Sequence, residues 1–333
     1  MEYSGRRRKH RDPWRLICRS TVSFVCVCLA QFALFLLSSF FNSSNIITLL
    51  FLSVIVLLGL TVIGRRCKRL FGLRGSAPAF VFTNIVFMWC VYLVAIRQVT
   101  CVVSCLNFGC AISFPLDILF HAELIILLIG LYRIISGDPG FVDYAPISNT
   151  ETFLEGSELP ISNIYEGSPS VESSLLLQRV RYCKYCHAHV KGFDHHCPAF
   201  GNCIGQNNHF LFMILLAGFI IAESCYILSA SQITTASRIL DSDGQKVVWT
   251  VALATSTMVF SILQVLWQAA FLAWHIYCVC FNIRTDEWMH WKKYPEFQHI
   301  THSQLGETGT TRYRNPYDKG IWQNLKEFIE AKG

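Results

Sequence analysis

The sequence predicts an α-helical integral membrane protein of about six transmembrane helices, with one small Cys-rich domain between the fourth and fifth spans. Three observations predict it. The 333 residues are 53% hydrophobic and only 15% charged, with positive mean hydropathy; an ordinary soluble domain carries about 25% charged residues. Apolar windows approaching the about 20 residues that a spanning helix needs occur at 16–41, 45–63, 79–97, 116–135, 209–230 and 252–280. Residues 181–210 gather four of the 15 cysteines and five of the 11 histidines.

Residues 1–15 are basic and polar and read as a tail at the membrane surface. Arg6-Arg7-Arg8-Lys9 before an apolar run resembles the start of a signal peptide, but the run is too long and no small-residue cleavage site follows, so a retained span is expected. Residues 16–63 then read as a transmembrane hairpin turning at Asn42-Ser43-Ser44, a glycosylation sequon in a turn too short to be modified. The third and fourth spans occupy 79–135. His121 and Glu123 sit close to the outer end of the fourth, where an interfacial reading competes with an intramembrane site. The intervening 98–115 holds Cys101, Cys105 and Cys110, which a lumenal compartment would allow to pair. The stretch 136–180 carries four prolines and seven acidic residues without periodicity and reads as a polar cytoplasmic linker. After the Cys-rich stretch, 209–280 holds the fifth and sixth spans, with Gln264, Gln268 and His275 in the last window. The tail 282–333 is polar, and Ile321, Leu325, Phe328 and Ile329 share one face of a short amphipathic helix.

Charge orients the chain, because short cytoplasmic loops are rich in Lys and Arg. Residues 1–15 hold six such residues and 64–78 hold five (Arg65, Arg66, Lys68, Arg69 and Arg74), while 98–115 holds none. Both termini and the Cys-rich stretch are therefore expected in the cytoplasm; Arg238 and Lys246 are the exceptions on the other side. The net charge of +6 finds its partner in an anionic leaflet, without nucleic acid. Nothing resembles the paired broken helices of a repeat transporter.

Within 181–210, Cys183-x-x-Cys186 is the spacing of a zinc knuckle, two thiolates on one tight turn. Eight ligand types are on offer: Cys183, Cys186, His187, His189, His195, His196, Cys197 and Cys203. A tetrahedral site needs four. The remainder leaves a thiol, an imidazole and the neighbouring carboxylate of Asp194, the parts of a nucleophile, a base and an orienter.

Asp194-His195-His196-Cys197, followed by Pro198, Gly201-Asn202-Cys203-Ile204-Gly205 and Asn208, resembles the DHHC family of protein S-acyltransferases, or palmitoyltransferases. Asp138-Pro139-Gly140, Arg284-Thr285-Asp286-Glu287 and Asn315-Pro316-Tyr317-Asp318-x-Gly320 resemble the family's flanking motifs in the right order, with Arg284 where the family has Thr. The resemblance extends over 116–320, and the chain reads as a divergent, plant-like member with a further pair of N-terminal spans. It implies a zinc-stapled cytoplasmic Cys-rich domain at 181–208, with structural Zn2+ on Cys183, Cys186, His196 and Cys203. Pro169, Glu172, Tyr182 and His189 stand where the family has its second zinc site, which is read as lost. Ala199-Phe200 replace a Trp and an aliphatic residue, so the packing after Cys197 must differ.

The resemblance also implies a mechanism. Cys197 is the nucleophile and carries an S-acyl intermediate, His195 is its general base, and Asp194 orients His195. The cosubstrate is palmitoyl-CoA or a similar acyl-CoA, and the acceptors are cysteines of membrane-associated substrate proteins. A catalytically weak zinc-stapled scaffold that binds partner proteins is the alternative. The setting is a multi-pass protein of the endomembrane system (Golgi, ER, vesicles) or the plasma membrane, with its active site in the cytoplasm.

Overall fold

A computed structural model describes residues 13–41, 45–72, 74–97, 114–142, 179–239, 244–301 and 310–331. The tail before residue 13, the Asn42-Ser43-Ser44 turn, Cys101, Cys105, Cys110, Pro169, Glu172 and most of 136–180 lie outside them. The chain divides into two compact units, one of Met1–Ile135, Pro198–Gly201 and Met213–Trp274, the other of Ser136–Cys197, Asn202–Phe212 and His275–Gly333.

The first unit holds helices α1 (Pro13–Phe40), α2 (Ile46–Phe71), α3 (Ala77–Val91, extended by a π-helical turn Tyr92–Ile96), nearly all of α4 (Phe114–Ser136), and most of α5 (His209–Ile239) and α6 (Gly244–Cys280), whose ends His209–Phe212 and His275–Cys280 belong to the second. All six are long and apolar enough to cross a membrane, and the chain is a multi-pass membrane protein. Phe51, Phe82, Ile129 and Trp267 are exposed, as side chains that face lipid must be. Small residues let helices approach: a Cβ on Gly130 of α4 would lie 2.4 Å from Leu215 Cδ2, and one on Gly218 of α5 would lie 2.5 Å from Glu123 Oε1. Tyr92 closes the helical end of α3 by donating to Asp117 Oδ1 at 2.8 Å and stacking on Phe120.

One helix outruns its apolar window. The second window ends at residue 63, yet α2 continues to Phe71 through Arg65, Arg66, Lys68 and Arg69. Arg and Lys are good helix formers and suit the negative end of the helix dipole. The helix stops at Gly72, whose φ of 65° places it in the left-handed region that glycine enters without strain.

The second unit carries short strands. β1 (Phe141–Val142), β2 (Val180–Cys183) and β3 (Ala188–Lys191) form an antiparallel sheet in the order β1-β3-β2. β4 (His195–Cys197) pairs with β5 (Asn202–Ile204), and β6 (Gln298–Thr301) with β7 (Thr310–Tyr313). Two helices, α7 (Thr285–His290) and α8 (Ile321–Glu330), complete it. The polar stretch 136–180 therefore begins and ends in a sheet, through Phe141–Val142 and Val180. A two-residue strand has no period to read, so the sequence gives it no signal. Residues beyond 282 belong to this same unit.

Asp138-Pro139-Gly140 sets the corner before β1. Asp138 Oδ1 accepts from the backbone N–H of Gly140 and Phe141 at 2.9 and 2.8 Å. Gly140 O accepts from Lys191 N–H at 2.8 Å, and Pro139 O packs directly on Gly205, where a Cβ would lie 2.4 Å away. The core of this unit is Cys183, Val190, Phe193 and Cys203, with Phe141 and Cys186 against it.

Candidate active site

Two antiparallel hairpins bring four ligand atoms together. In the first, Cys183 pairs with Ala188 across a turn in which Cys186 N–H donates to Cys183 Sγ at 3.4 Å. His187 holds a positive φ of 52° in that turn. In the second, His196 and Cys203 are cross-strand partners. His196 Nδ1 lies 3.7, 3.5 and 3.7 Å from the sulfurs of Cys183, Cys186 and Cys203, and Cys186 and Cys203 sulfurs are 3.4 Å apart. Tyr185 stacks on the His196 ring.

This group can hold a metal ion. Its protonation fits one. Hydrogen bonding from Cys203, opposed by burial and aided by His196, drives the Cys183 thiol down, while the same contact with Cys183 together with burial pushes Cys203 up. Thiols so close ionise at one another's expense, and a bound dication removes that conflict by taking all three as thiolates. The other two candidates of the first hairpin do something else: His187 meets the Tyr182 hydroxyl at 3.4 Å, and His189 packs its ring on Tyr182.

Strand alternation separates the remaining side chains from this Cys and His cluster. Successive residues of β4 point to opposite faces, so His196 turns to the sulfurs while His195 and Cys197 share the other side. His195 Nδ1–H donates to Asp194 Oδ2 at 2.7 Å. Burial pulls the His195 pKa down, but the Asp194 and Cys197 partners prevail and raise it to about 9. Asp194 is fully buried. Burial opposes its ionisation, yet the field of His209, the His195 hydrogen bond and the field of His275 hold its carboxyl well below the usual range.

The Asp194 carboxylate is positioned from α7. Thr285 N–H donates to Asp194 Oδ1 at 3.0 Å, and Asp286 N–H donates to the Asp194 carbonyl at 3.0 Å. On the other side, Asp194 N–H donates to Ile204 O at 2.8 Å, tying it to β5. The Arg284-Thr285-Asp286-Glu287 motif thus acts through its backbone. Glu287 fixes that backbone: it accepts Arg284 N–H at 2.9 Å and takes a two-pronged contact from Arg179 at 3.1 and 3.0 Å. Arg179 also donates to the side chain and carbonyl of Asn282 and lies over the Tyr317 ring. Asn315 closes the motif by donating to Phe281 O at 2.6 Å, and Asn282 donates to Tyr317 O at 3.1 Å.

Three residues of this site went unassigned in the sequence. His209 and His275 are almost fully buried beside Asp194, and Phe212 packs edge-on against the rings of His195 and His275. His209 and Phe212 open the fifth apolar window and His275 lies in the sixth, so nothing in the sequence pairs them with Asp194. Asp194, His209 and His275 are close enough to share a metal ion. Asp194 and His209 are engaged by hydrogen bonds instead: Arg284 Nη1 donates to His209 Nδ1, while His195 and Thr285 engage both Asp194 oxygens; His275 lies 3.9 Å from Asp194 Oδ2 and packs against the rings of His195, His209 and Phe212. Arg284 therefore has a specific partner in this chain. Phe328 of α8 packs edge-on against His209 and also touches Phe210.

Residues 173–292 match the family model described as DHHC palmitoyltransferase. The chain is 28% identical over 236 residues to the palmitoyltransferase Hip14 of Drosophila melanogaster, covering 66% of this chain and 34% of that protein. It is 25% identical over 224 residues to the palmitoyltransferase ZDHHC17 of Mus musculus, covering 64% of this chain and 33% of that protein. It is 32% identical over 147 residues to the palmitoyltransferase AKR1 of Mortierella alpina, covering 41% of this chain and 25% of that protein. The chain spans about a third of the length of the first two relatives and a quarter of the third.

Proposed function

On the premise that this chain carries the domain of the DHHC palmitoyltransferase family, we propose that it is a protein S-acyltransferase. It moves a long-chain acyl group, palmitoyl in the first instance, from acyl-CoA to cysteines of membrane-associated proteins. The observation that carries this reading is the Asp194–His195 hydrogen bond, with His195 and Cys197 on the face of β4 opposite the Cys183, Cys186, His196 and Cys203 cluster.

The chemistry follows from these side chains. His195 takes the thiol proton of Cys197, and Asp194 holds the ring with its Nδ1–H fixed and balances the imidazolium that forms. The Cys197 sulfur attacks the thioester carbonyl; a new carbon–sulfur bond forms, the bond to CoA sulfur breaks, and CoA leaves as the thiol with the proton held by His195. In the second half an acceptor cysteine, deprotonated by His195, attacks the acyl-Cys197, and the proton returns to the Cys197 sulfur. Each half exchanges one thioester for another, so the rate depends on positioning and thiolate formation.

The ion is zinc on this reading, held by Cys183, Cys186, His196 and Cys203. Zinc bonds of about 2.3 Å to sulfur and about 2.0–2.1 Å to nitrogen separate tetrahedral ligand atoms by about 3.5–3.8 Å. The present separations run from 3.4 to 3.7 Å. Four protein ligands would leave no open position, so zinc bound by Cys183, Cys186, His196 and Cys203 would supply structure, holding β4 and with it the direction of Cys197. The Tyr182–His189 ring pair is the counterpart of the second zinc site, supporting the reading of that site as lost. The basic loops favour a cytoplasmic Cys-rich domain, in an endomembrane compartment or the plasma membrane.

The test is incubation of purified chain, wild type beside Cys197→Ser, with labelled palmitoyl-CoA, followed by a non-reducing gel with and without hydroxylamine. Label on the wild type alone, removed by hydroxylamine, is expected. Folded, zinc-loaded protein that takes no label would replace the transferase with a zinc-stapled scaffold that binds partner proteins.

A further inference from the structure

The extra N-terminal helices carry a cationic cavity that the transfer reaction does not use. Arg65, Lys68, Arg69, Gly72 and Arg74 line a cavity of about 680 Å³ at the C-terminal end of α2. Arg65, Lys68 and Arg69 stand at i, i+3 and i+4 and share one helix face. Gly72, with its φ of 65°, ends the helix and turns the chain, and Arg74 returns to the same cavity.

The return segment is fixed in place. Ser76 N–H donates to Ser23 Oγ of α1 at 2.8 Å, and Ser23 Oγ donates to Ser76 O at 2.8 Å. Ser76 N–H also donates to Arg19 O, and Arg19 donates to Gly75 O at 3.4 Å. Gly75 sits so close that a Cβ there would lie 2.9 Å from Ser23 Oγ. The segment that brings Arg74 to the cavity is therefore held by contacts that do not involve the Arg74 charge.

Depth and charge point to the ligand. From Ile46 to Gly64 the helix is without a charged residue, which at about 1.5 Å per residue spans most of the about 30 Å hydrocarbon core. The cavity thus begins where lipid phosphates begin. Among the described residues none of its four cations forms an ion pair with a carboxylate, and the sequence holds no Asp or Glu between residues 13 and 116. The general enrichment of Lys and Arg in cytoplasmic loops requires charge but not convergence on a shared cavity. Three guanidiniums match phosphate oxygens two at a time, and four like charges around one space are relieved by more than one phosphate.

We propose that this cavity binds the polyphosphorylated headgroup of an anionic membrane lipid. The site lies on residues separate from the transferase chemistry, so it stands or falls independently.

The full chain would be reconstituted in phosphatidylcholine nanodiscs with a labelled phosphatidylinositol bisphosphate, or with phosphatidylserine at the same total lipid charge. Retention is expected to favour the bisphosphate at least about ten-fold, and Arg65→Gln with Arg69→Gln to remove that preference. Arg66→Gln removes a charge of the same helix turn that does not line the cavity, and should leave retention unchanged. Soluble inositol trisphosphate in equal amount should not displace the lipid. Equal retention of both lipids, or an equal loss from the Arg66 variant, would reduce the site to diffuse positive potential and overturn it. Displacement by the soluble headgroup would assign the cavity to a free polyphosphate instead. Circular dichroism of each variant confirms that the helices persist.

Discussion

Asp194 does more than hold the His195 ring. Its carboxylate joins His195 to the backbone of α7, and its peptide group joins α7 to β5. Asp194→Asn keeps the shape and removes the charge that favours the His195 imidazolium. Acyl-enzyme formation is expected to slow by about a hundred-fold or more, with metal content unchanged; single-turnover labelling checks the first and metal analysis the second. Arg179 and Glu287 present a different balance, because both side chains are nearly buried, at 11% and 2% exposure. Removing one partner leaves a charge without its counterion, so Arg179→Met should cost about 3–5 kcal/mol. Arg179→Met with Glu287→Gln should recover most of that loss, as read from thermal unfolding of the two variants. The Asp-His-His-Cys motif was legible in the sequence; His209 and His275 were not, because they reach Asp194 only through the folded positions of α5 and α6.

At the scale of elements, the two hairpins divide the labour. β2 and β3 present Cys183 and Cys186 on one turn, and β4 and β5 present His196 and Cys203 side by side while turning His195 and Cys197 the other way. Close backbone contact makes this possible at Gly205, which lies against Pro139 O and Val190. Gly205→Ala should therefore destabilise by about 1–3 kcal/mol, since backbone on one side and β3 on the other leave no room for the methyl. Gly59, on the uncharged length of α2, has nothing within 4 Å of an added Cβ. Gly59→Ala should be neutral or stabilising by up to about 1 kcal/mol, the difference in helix propensity. Chemical unfolding of the pair compares a glycine needed for approach with one that is not. The spans were readable from their apolar windows, but the strand Phe141–Val142 was not, because it exists only through its pairing with β3.

At the scale of the whole molecule, the two units rest on different forces. Long apolar helices are satisfied within themselves and need only lipid around them. The unit that carries Cys197 has short strands and a small core of Cys183, Val190, Phe193 and Cys203, two of which belong to the group that can hold a metal ion. Removing the metal should disorganise this unit while most of the helical signal remains. A strong chelator is thus expected to abolish acyl-enzyme formation with little change in far-UV circular dichroism, and resupplied zinc to restore it. Loss of most helicity on chelation would mean that the membrane helices depend on the metal as well.

Composition and spacing alone determined the membrane class, the number of spans and the presence of a Cys and His cluster with more ligand types than one metal site needs. Each is a local property: an apolar run of sufficient length, or a Cys and His pattern within thirty residues. The tertiary structure decided what surrounds them. It set His209, His275 and Phe212 about Asp194 and His195, converted Thr285 and Asp286 into backbone donors for Asp194, and gathered Arg74 with the cations of α2. These contacts join residues far apart in the chain, and sequence separation carries no record of which distant side chains a fold will bring within hydrogen-bonding distance.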